Sequence, residues 1–249
     1  MPLVKARGNM YEFVTHCHSH LRGGCGHQCS YCYVRSFRNY KRDWTGPVRL
    51  LEKELTVNYY APWTDKDGVN HPDGTGKTIF IEHCSDLFAE GVPDEFVSRI
   101  LAHTQVYPKN HYLFQSKNPA NMVFWYQEMP GALIPANILG TTIETNREIP
   151  WSKAPAPRER YEAMCELTTM VGNDDKLMVT IEPILQFDLD VLSKWIIDIK
   201  PDFINIGADS KHHGLPEPTR DEVLELVKIL NDNGITINKK SNLERLVKG

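Results

Sequence analysis

Residues 177–207, LMVTIEPILQFDLDVLSKWIIDIKPDFINIG, contain one complete unit of the fold. The run 177–181 (LMVTI) is apolar, as a strand buried on both faces must be. Residues 189–199 place Leu192, Trp195, Ile196 and Ile199 at helical spacing, and Pro201 stops the helix. The run 203–206 (FINI) is apolar again. A strand, a helix and a strand joined in this way form a βαβ unit with parallel strands and a right-handed connection.

The same alternation extends in both directions. Residues 78–81 (TIFI) read as a strand and 93–106 as a helix. Pro93 suits the first turn of that helix, Asp94 and Glu95 its positive end, and Val97, Ile100, Leu101 and Thr104 share one face. Strand 111–115 (HYLFQ) precedes helix 119–128, and strand 138–143 (ILGTTI) precedes helix 157–171. In the latter Tyr161, Met164, Leu167, Thr168 and Val171 follow helical spacing, and Gly172 ends it. Helix 219–233 opens with a capping box, Thr219 to Glu222, carries Val223, Leu226, Val227 and Leu230 on one stripe, and ends at Gly234. Residues 235–237 form a last short strand, and 11–15 (YEFVT) read as the first. Six or seven strands alternating with helices predict an α/β fold with a parallel sheet, as a closed or partial (β/α) barrel. One domain is expected over residues 1–249, with an irregular loop at 16–45 and a long polar loop at 58–77.

Composition narrows the function classes. Of the 249 residues 41% are hydrophobic, enough for a sizeable core, and no run of about 18 apolar residues is present to span a membrane. The net charge of −4 argues against a general electrostatic binder of nucleic acid, so any such contact needs a local patch. Residues 33–44 offer one: Arg35, Arg38, Lys41 and Arg42 interleave with Tyr33, Phe37, Tyr40 and Trp44, and Val34, Phe37 and Lys41 predict a helix. A solvated amphipathic helix accounts for the pattern equally well. Gly76-Lys77-Thr78 resembles the end of a phosphate-binding loop, but the required first glycine is His71, which excludes that motif.

The chemistry concentrates in residues 23–33, GGCGHQCSYCY. Cys25, Cys29 and Cys32 stand as C-x3-C-x2-C, three soft ligands close enough to converge on one metal centre. A zinc site would need a fourth ligand, which His16, Cys17, His18, His20 or His27 could supply. The segment 16–20 (HCHSH) reads either as a collar around a site or as a polar loop. Cys17, Cys84 and Cys165 are scattered and form no second C-x2-C pair. No signal peptide is read, so disulfides are not expected and a reducing cytoplasm is the expected compartment.

In parallel barrels the chemistry sits at the C-terminal ends of the strands. Those positions hold Glu82, His83, Cys84, Ser85 and Asp86, then Ser116, Lys117 and Asn118, then Thr141, Thr142, Glu144 and Asn146. Glu182 and Pro183 follow, then Gly207, Asp209, Ser210 and Lys211, and finally Asn238, Lys239 and Lys240.

The cysteine spacing, with Tyr31 just before the last cysteine, resembles the radical S-adenosylmethionine (SAM) superfamily. CGHQCSYCY, then CSD after the second strand and Ser-Lys after the third, is similar to its spore photoproduct lyase-like branch. IEPIL and INIGADS are similar to phage-associated radical SAM proteins grouped with that branch. The resemblance implies a partial (β/α)6-type TIM barrel. It implies a [4Fe–4S] cluster on Cys25, Cys29 and Cys32 whose open iron binds SAM, and reductive cleavage to methionine and a 5′-deoxyadenosyl radical. Ser85 and Lys117 match positions that contact SAM in that branch. Tyr31, Asp86, Thr142, Glu144 and Glu182 complete the expected cofactor-binding set. A cysteine beside the serine returns a hydrogen atom in the lyase itself, which makes Cys84 the expected catalytic residue, although here it is directly adjacent to Ser85. The Gly-Gly-Glu motif of many radical SAM proteins is missing after the second strand, so another contact must hold the SAM amino group. The branch implies a nucleobase, nucleotide or DNA substrate and an external flavodoxin- or ferredoxin-like electron donor. A radical SAM enzyme acting on a peptide or small metabolite, and a non-catalytic zinc-binding adaptor, stay open as alternatives.

Overall fold

The computed structural model describes residues 2–128 and 137–248. The chain begins with β1 (Val4–Lys5), β2 (His16–His18) and β3 (Leu21–Arg22), then the cysteine loop and a 3-10 turn, Tyr33–Ser36. A single helical turn, α1 (Tyr40–Asp43), leads to β4 (Arg49–Leu50), a second 3-10 turn, Glu52–Thr56, and the two-residue strands β5 (Trp63–Thr64) and β6 (Asn70–His71). From there the structure is regular: β7 (Thr78–Ile81), α2 (Asp94–Gln105), β8 (His111–Ser116), α3 (Pro119–Glu128), β9 (Ile138–Thr142) and α4 (Pro157–Thr168). It continues through β10 (Lys176–Ile181), α5 (Leu189–Ile199), β11 (Phe203–Ile206), α6 (Arg220–Asp232) and β12 (Ile237–Lys239) to a terminal turn, α7 (Glu244–Val247).

One sheet organises these elements, in the order β1-β2-β7-β8-β9-β10-β11-β12. Every pair from β2 to β12 is parallel, and β1 adds an antiparallel edge against β2. With β1 and β12 at opposite edges the barrel is partial, as the resemblance implies.

The pleat sorts side chains to two faces. Ile79, Ile81, Phe114, Leu139, Val179 and Ile206 turn outward onto apolar stripes of the helices, including Ile100, Met164, Leu192, Ile196 and Leu226. The inward residues near the strand starts, Leu113, Ile138 and Met178, join Tyr11, Val14 and Cys17 in a separate apolar plug, with Phe80 and Phe203 against it. Gly140 makes room for this plug, since a Cβ there would lie 2.6 Å from Met178 Cε. Farther along the same strands the inward residues become Gln115, Thr142 and Thr180. One end of the barrel is therefore sealed by apolar contact and the other is polar.

Four expectations need correction. The first parallel strand is His16–His18, not 11–15: Tyr11 and Val14 are apolar because they plug the barrel, not because they alternate along a strand. The segment 16–20 is not an exposed polar loop, because His16, Cys17, His18, Ser19 and His20 are all buried. Residues 33–44 form no continuous helix, because Phe37 is extended (φ −69°, ψ 136°) between the 3-10 turn and α1. The last strand is Ile237–Lys239, two residues later than 235–237. The loop at 58–77 includes a small hairpin, β5 with β6, and is folded around Lys77. The buried Lys77 ammonium donates to the carbonyls of Tyr59 (2.9 Å), Ala61 (2.8 Å) and Gly74 (2.6 Å), so the lysine of the rejected phosphate motif is a structural staple. Gly74 (φ +71°) is required there, since a Cβ would meet the Tyr60 carbonyl at 2.0 Å.

Candidate functional site

A cavity of about 930 Å³ opens at the C-terminal ends of the strands. Cys25, Cys29 and Cys32 line one side of it with Tyr31. Cys84, Ser85, Asp86, Lys117, Thr142 and Glu182 line the rest, so residues far apart in sequence share one space.

The cysteine loop is held by its backbone. Gly23 N donates to Asp43 O (2.9 Å), Gly24 N to Gly46 O (2.8 Å) and Ser30 N to Trp151 O (2.9 Å). A Cβ on Gly26 would meet the Glu90 carbonyl at 2.4 Å, so only glycine lets the loop lie this close to its neighbour. Arg35 reaches back to the carbonyls of Cys29 (2.9 Å) and Gln28 (3.1 Å), which ties this exposed side chain to the cysteine loop. Trp44 leaves the basic surface read from sequence: it is buried, with the Arg22 guanidinium 4.7 Å from its ring centroid. Arg38, Lys41 and Arg42 remain exposed.

The three thiols are free and face the same cavity, a soft donor set that would suit an iron–sulfur cluster. Burial pushes the Cys25 thiol up to about 12, aided by the Asp86 carboxylate. A bound cation would reverse that preference.

Behind the loop sits a charged core. The Lys117 ammonium is paired with Glu144, donates to the Tyr31 hydroxyl oxygen (3.0 Å) and lies 4.5 Å from the Tyr31 ring centroid. Tyr31 donates to Glu144 (2.6 Å), and Arg160 binds the other carboxylate oxygen (2.7 Å). Glu144 and Arg160 are both buried, and Glu144 lies behind the cavity wall, not on it. Burial alone would raise the Glu144 carboxyl, but Lys117 and Arg160 outweigh it and hold it down at about 2. Two cations face one anion, which leaves one positive charge uncompensated at the cavity wall.

Asp86 is a clip. It accepts from His27 Nε2 (2.7 Å) and from the backbone N–H groups of Lys117 (2.8 Å) and Phe88 (3.0 Å). Thr142 accepts from Gln115 Nε2 (2.9 Å), and Tyr11 donates to Gln115 Oε1 (2.9 Å) with Thr180 Oγ1 3.0 Å away, which makes a polar floor above the apolar plug. Glu182 binds Lys240 (2.8 Å), Asn242 (2.8 Å) and Asn9 (3.2 Å) at the far rim. Ser85 is anchored through its backbone, to Glu82 O (2.9 Å). Cys84 Sγ lies 3.1 Å from His83 Nε2, and burial pushes its thiol up to about 12, so it stays protonated.

Sequence reasoning missed Arg160, Tyr11 and Gln115 as site residues, and read His27 only as a possible zinc ligand. Arg160 carried a readable signal: it shares the inward stripe of its helix with Met164 and Leu167, where a charge demands a buried partner.

Comparison with known proteins follows this geometry. A spore photoproduct lyase variant with bound AdoMet and dinucleoside spore photoproduct superposes with a TM-score of 0.53 at 10% identity, over 90% of this chain and 63% of that one. A second spore photoproduct lyase variant gives 0.54 at 11%, over 96% and 76%. Streptococcus suis SuiB gives 0.54 at 9%, over 90% and 48%. The chain thus has the partial-barrel fold of these radical SAM enzymes while spanning less than two thirds of the length of the first lyase and about half of SuiB. No curated protein sequence matches it. Residues 10–198, well over half of the chain, match one sequence family, and the chain therefore belongs to the family described as "Protein of unknown function (DUF5131)".

Proposed function

We propose that this chain is a radical SAM enzyme acting on a nucleobase, alone or within a nucleotide or DNA. The observation that carries the reading is the convergence of Cys25, Cys29 and Cys32 on a polar cavity at the C-terminal ends of the parallel strands. These cysteines would hold a [4Fe–4S] cluster, and SAM would lie against them. When bound, the two groups supply an electron and a carbon-centred radical able to take hydrogen from an unreactive C–H bond, which side chains alone cannot do.

The chain's residues bind and orient. The uncompensated positive charge shared by Lys117, Glu144 and Arg160 suits the methionine carboxylate of SAM. The Ser85 hydroxyl and the Asp86 backbone border the same space and suit its amino group. The polar floor of Tyr11, Gln115, Thr142 and Thr180 offers donors and acceptors to an adenosine or a substrate base. Cys84, kept as a thiol beside the cavity, is placed to return a hydrogen atom to a substrate radical. Electrons would come from an external flavodoxin- or ferredoxin-like donor. No helix among the described residues is long and apolar enough to cross a membrane.

The test is anaerobic reconstitution with iron and sulfide, followed by reduction and addition of SAM. About four irons per chain and formation of 5′-deoxyadenosine are expected, with both lost in Cys29→Ala. Zinc bound at the cysteines with no SAM cleavage would sink the reading. Oligonucleotides and nucleosides that raise 5′-deoxyadenosine yield identify the substrate class; stimulation by peptides alone refutes the nucleobase.

A further inference from the structure

A second cluster of ligand-type side chains lies away from the cavity, behind β2. His18 and His20 flank the end of β2, His103 comes from the last turn of α2, and Tyr59 from the segment that follows the second 3-10 turn. His18, His20 and Tyr59 are fully buried, and His103 is 7% exposed. None of the four lines the cavity.

Each histidine is anchored through one ring nitrogen. His18 Nε2 faces Glu54 (3.0 Å), His20 Nδ1 faces Glu82 (2.8 Å) and His103 Nε2 donates to the Val57 carbonyl (3.0 Å). With an N–H on each anchored nitrogen, the other nitrogen offers a bare lone pair. One ring nitrogen from each of the three histidines lies within 4.8 Å of those of the other two. The Tyr59 hydroxyl is there too, 2.6 Å from His18 Nδ1 and 3.2 Å from His20 Nε2. His20 Nε2 and His103 Nδ1 stand 3.0 Å apart.

With those tautomers the hydrogen count does not close. Three acceptors meet and the single Tyr59 proton can serve one of them, which leaves His20 and His103 lone pair to lone pair. Carboxylate- or carbonyl-anchored imidazoles with their free nitrogens convergent are the arrangement that orients ligands around a metal ion.

We propose that His18 Nδ1, His20 Nε2, His103 Nδ1 and the Tyr59 oxygen form a closed four-coordinate site for one divalent transition-metal ion, zinc(II) in first place. Three imidazoles and one oxygen match that ion's ligand preferences, and four protein ligands leave no position for substrate. The imidazoles bind without losing protons, and the Tyr59 hydroxyl releases its proton as the ion enters. The ion ties β2 to the segment carrying Tyr59 and to α2. It thereby fixes the strand that leads, five residues after His20, into Cys25. The site depends on none of the cysteines, so it stands or falls separately from the proposed function.

The test uses the full chain carrying Cys25→Ala, Cys29→Ala and Cys32→Ala, so that metal at the cysteine loop is removed. About one zinc per chain is expected after exposure to zinc(II), with an X-ray absorption shell of nitrogen and oxygen near 2.0–2.1 Å and no sulfur near 2.3 Å. Adding His103→Gln should remove the zinc. Should the triple variant not fold, the zinc edge of the wild-type protein, read apart from iron, carries the same expectation. No zinc, or zinc with sulfur neighbours only, overturns the site. So does a nitrogen-15 spectrum in which a proton shared by His20 and His103 persists unchanged when zinc(II) is added.

Discussion

The two ends of the barrel are built from the same strands and differ in almost everything else. Along β10 the inward side chain is Met178 near the start, Thr180 near the finish, and Glu182 just beyond it. The closed end is stabilised by excluding water and filling space, which tolerates any apolar group of similar volume. The open end keeps charges buried, so each residue there depends on a particular partner. What sits at the bottom is interchangeable in kind; what sits at the top is specified atom by atom.

That contrast can be broken experimentally. The largest effect is expected from Glu144→Ala, which leaves Lys117 and Arg160 without their shared anion. Breaking a buried pair in this way costs about 3–5 kcal/mol, read by urea unfolding, and SAM binding should fail with it. Retention of both full stability and SAM binding would show that the open end is as permissive as the closed one. The same carboxylate sets a pH dependence. Its folded pKa, about 2, lies below its ordinary 4.5, so its contribution is present above pH 4.5 and is lost as pH falls from there toward 2. Thermal unfolding of the wild type should drop more steeply over that window than that of Glu144→Gln.

At the closed end, Met178→Ala should cost about 3 kcal/mol through lost burial and a residual cavity, while SAM binding by the folded fraction is unchanged. Loss of binding in that variant would mean the plug shapes the site above it. The smallest effect belongs outside the barrel. Lys41→Ala removes one exposed cation, so stability should shift by less than about 0.5 kcal/mol. If the Arg38–Arg42 surface touches phosphate, the salt dependence of oligonucleotide binding should flatten by about one ion; an unchanged slope places the nucleic acid elsewhere.

The regular part of the chain was legible because each element has a single environment. Leu189–Ile199 and Phe203–Ile206 were readable to the residue, since a helix packed on a buried sheet shows its period and a strand buried on both faces shows none. The first strand was not. His16, Cys17 and His18 look polar, and become buried only because Glu54, Tyr59 and Thr15 satisfy the imidazoles. The spacing of the cysteine loop singled out Cys25, Cys29 and Cys32, which face one cavity with Cys84, Ser85, Asp86, Lys117, Thr142 and Glu182, while Glu144 lies behind its wall. The polar floor could not be foreseen: Tyr11 and Gln115 are 104 residues apart, and neither belongs to a local pattern. Lys117 was found, while its tie to Glu144 and Arg160 depends on how α4 lies against β9.

Asp86 has a mechanical consequence. One carboxylate is bonded to His27, inside the cysteine loop, and to the backbone of Lys117, at the tip of β8. It is a strut between two parts of the chain that have no covalent reason to keep step. Any displacement of the loop pulls on the lysine, and any shift of the lysine is felt by the thiols. The cysteine side of the cavity and its lysine side are therefore a single rigid gauge, its span set by the length of one side chain.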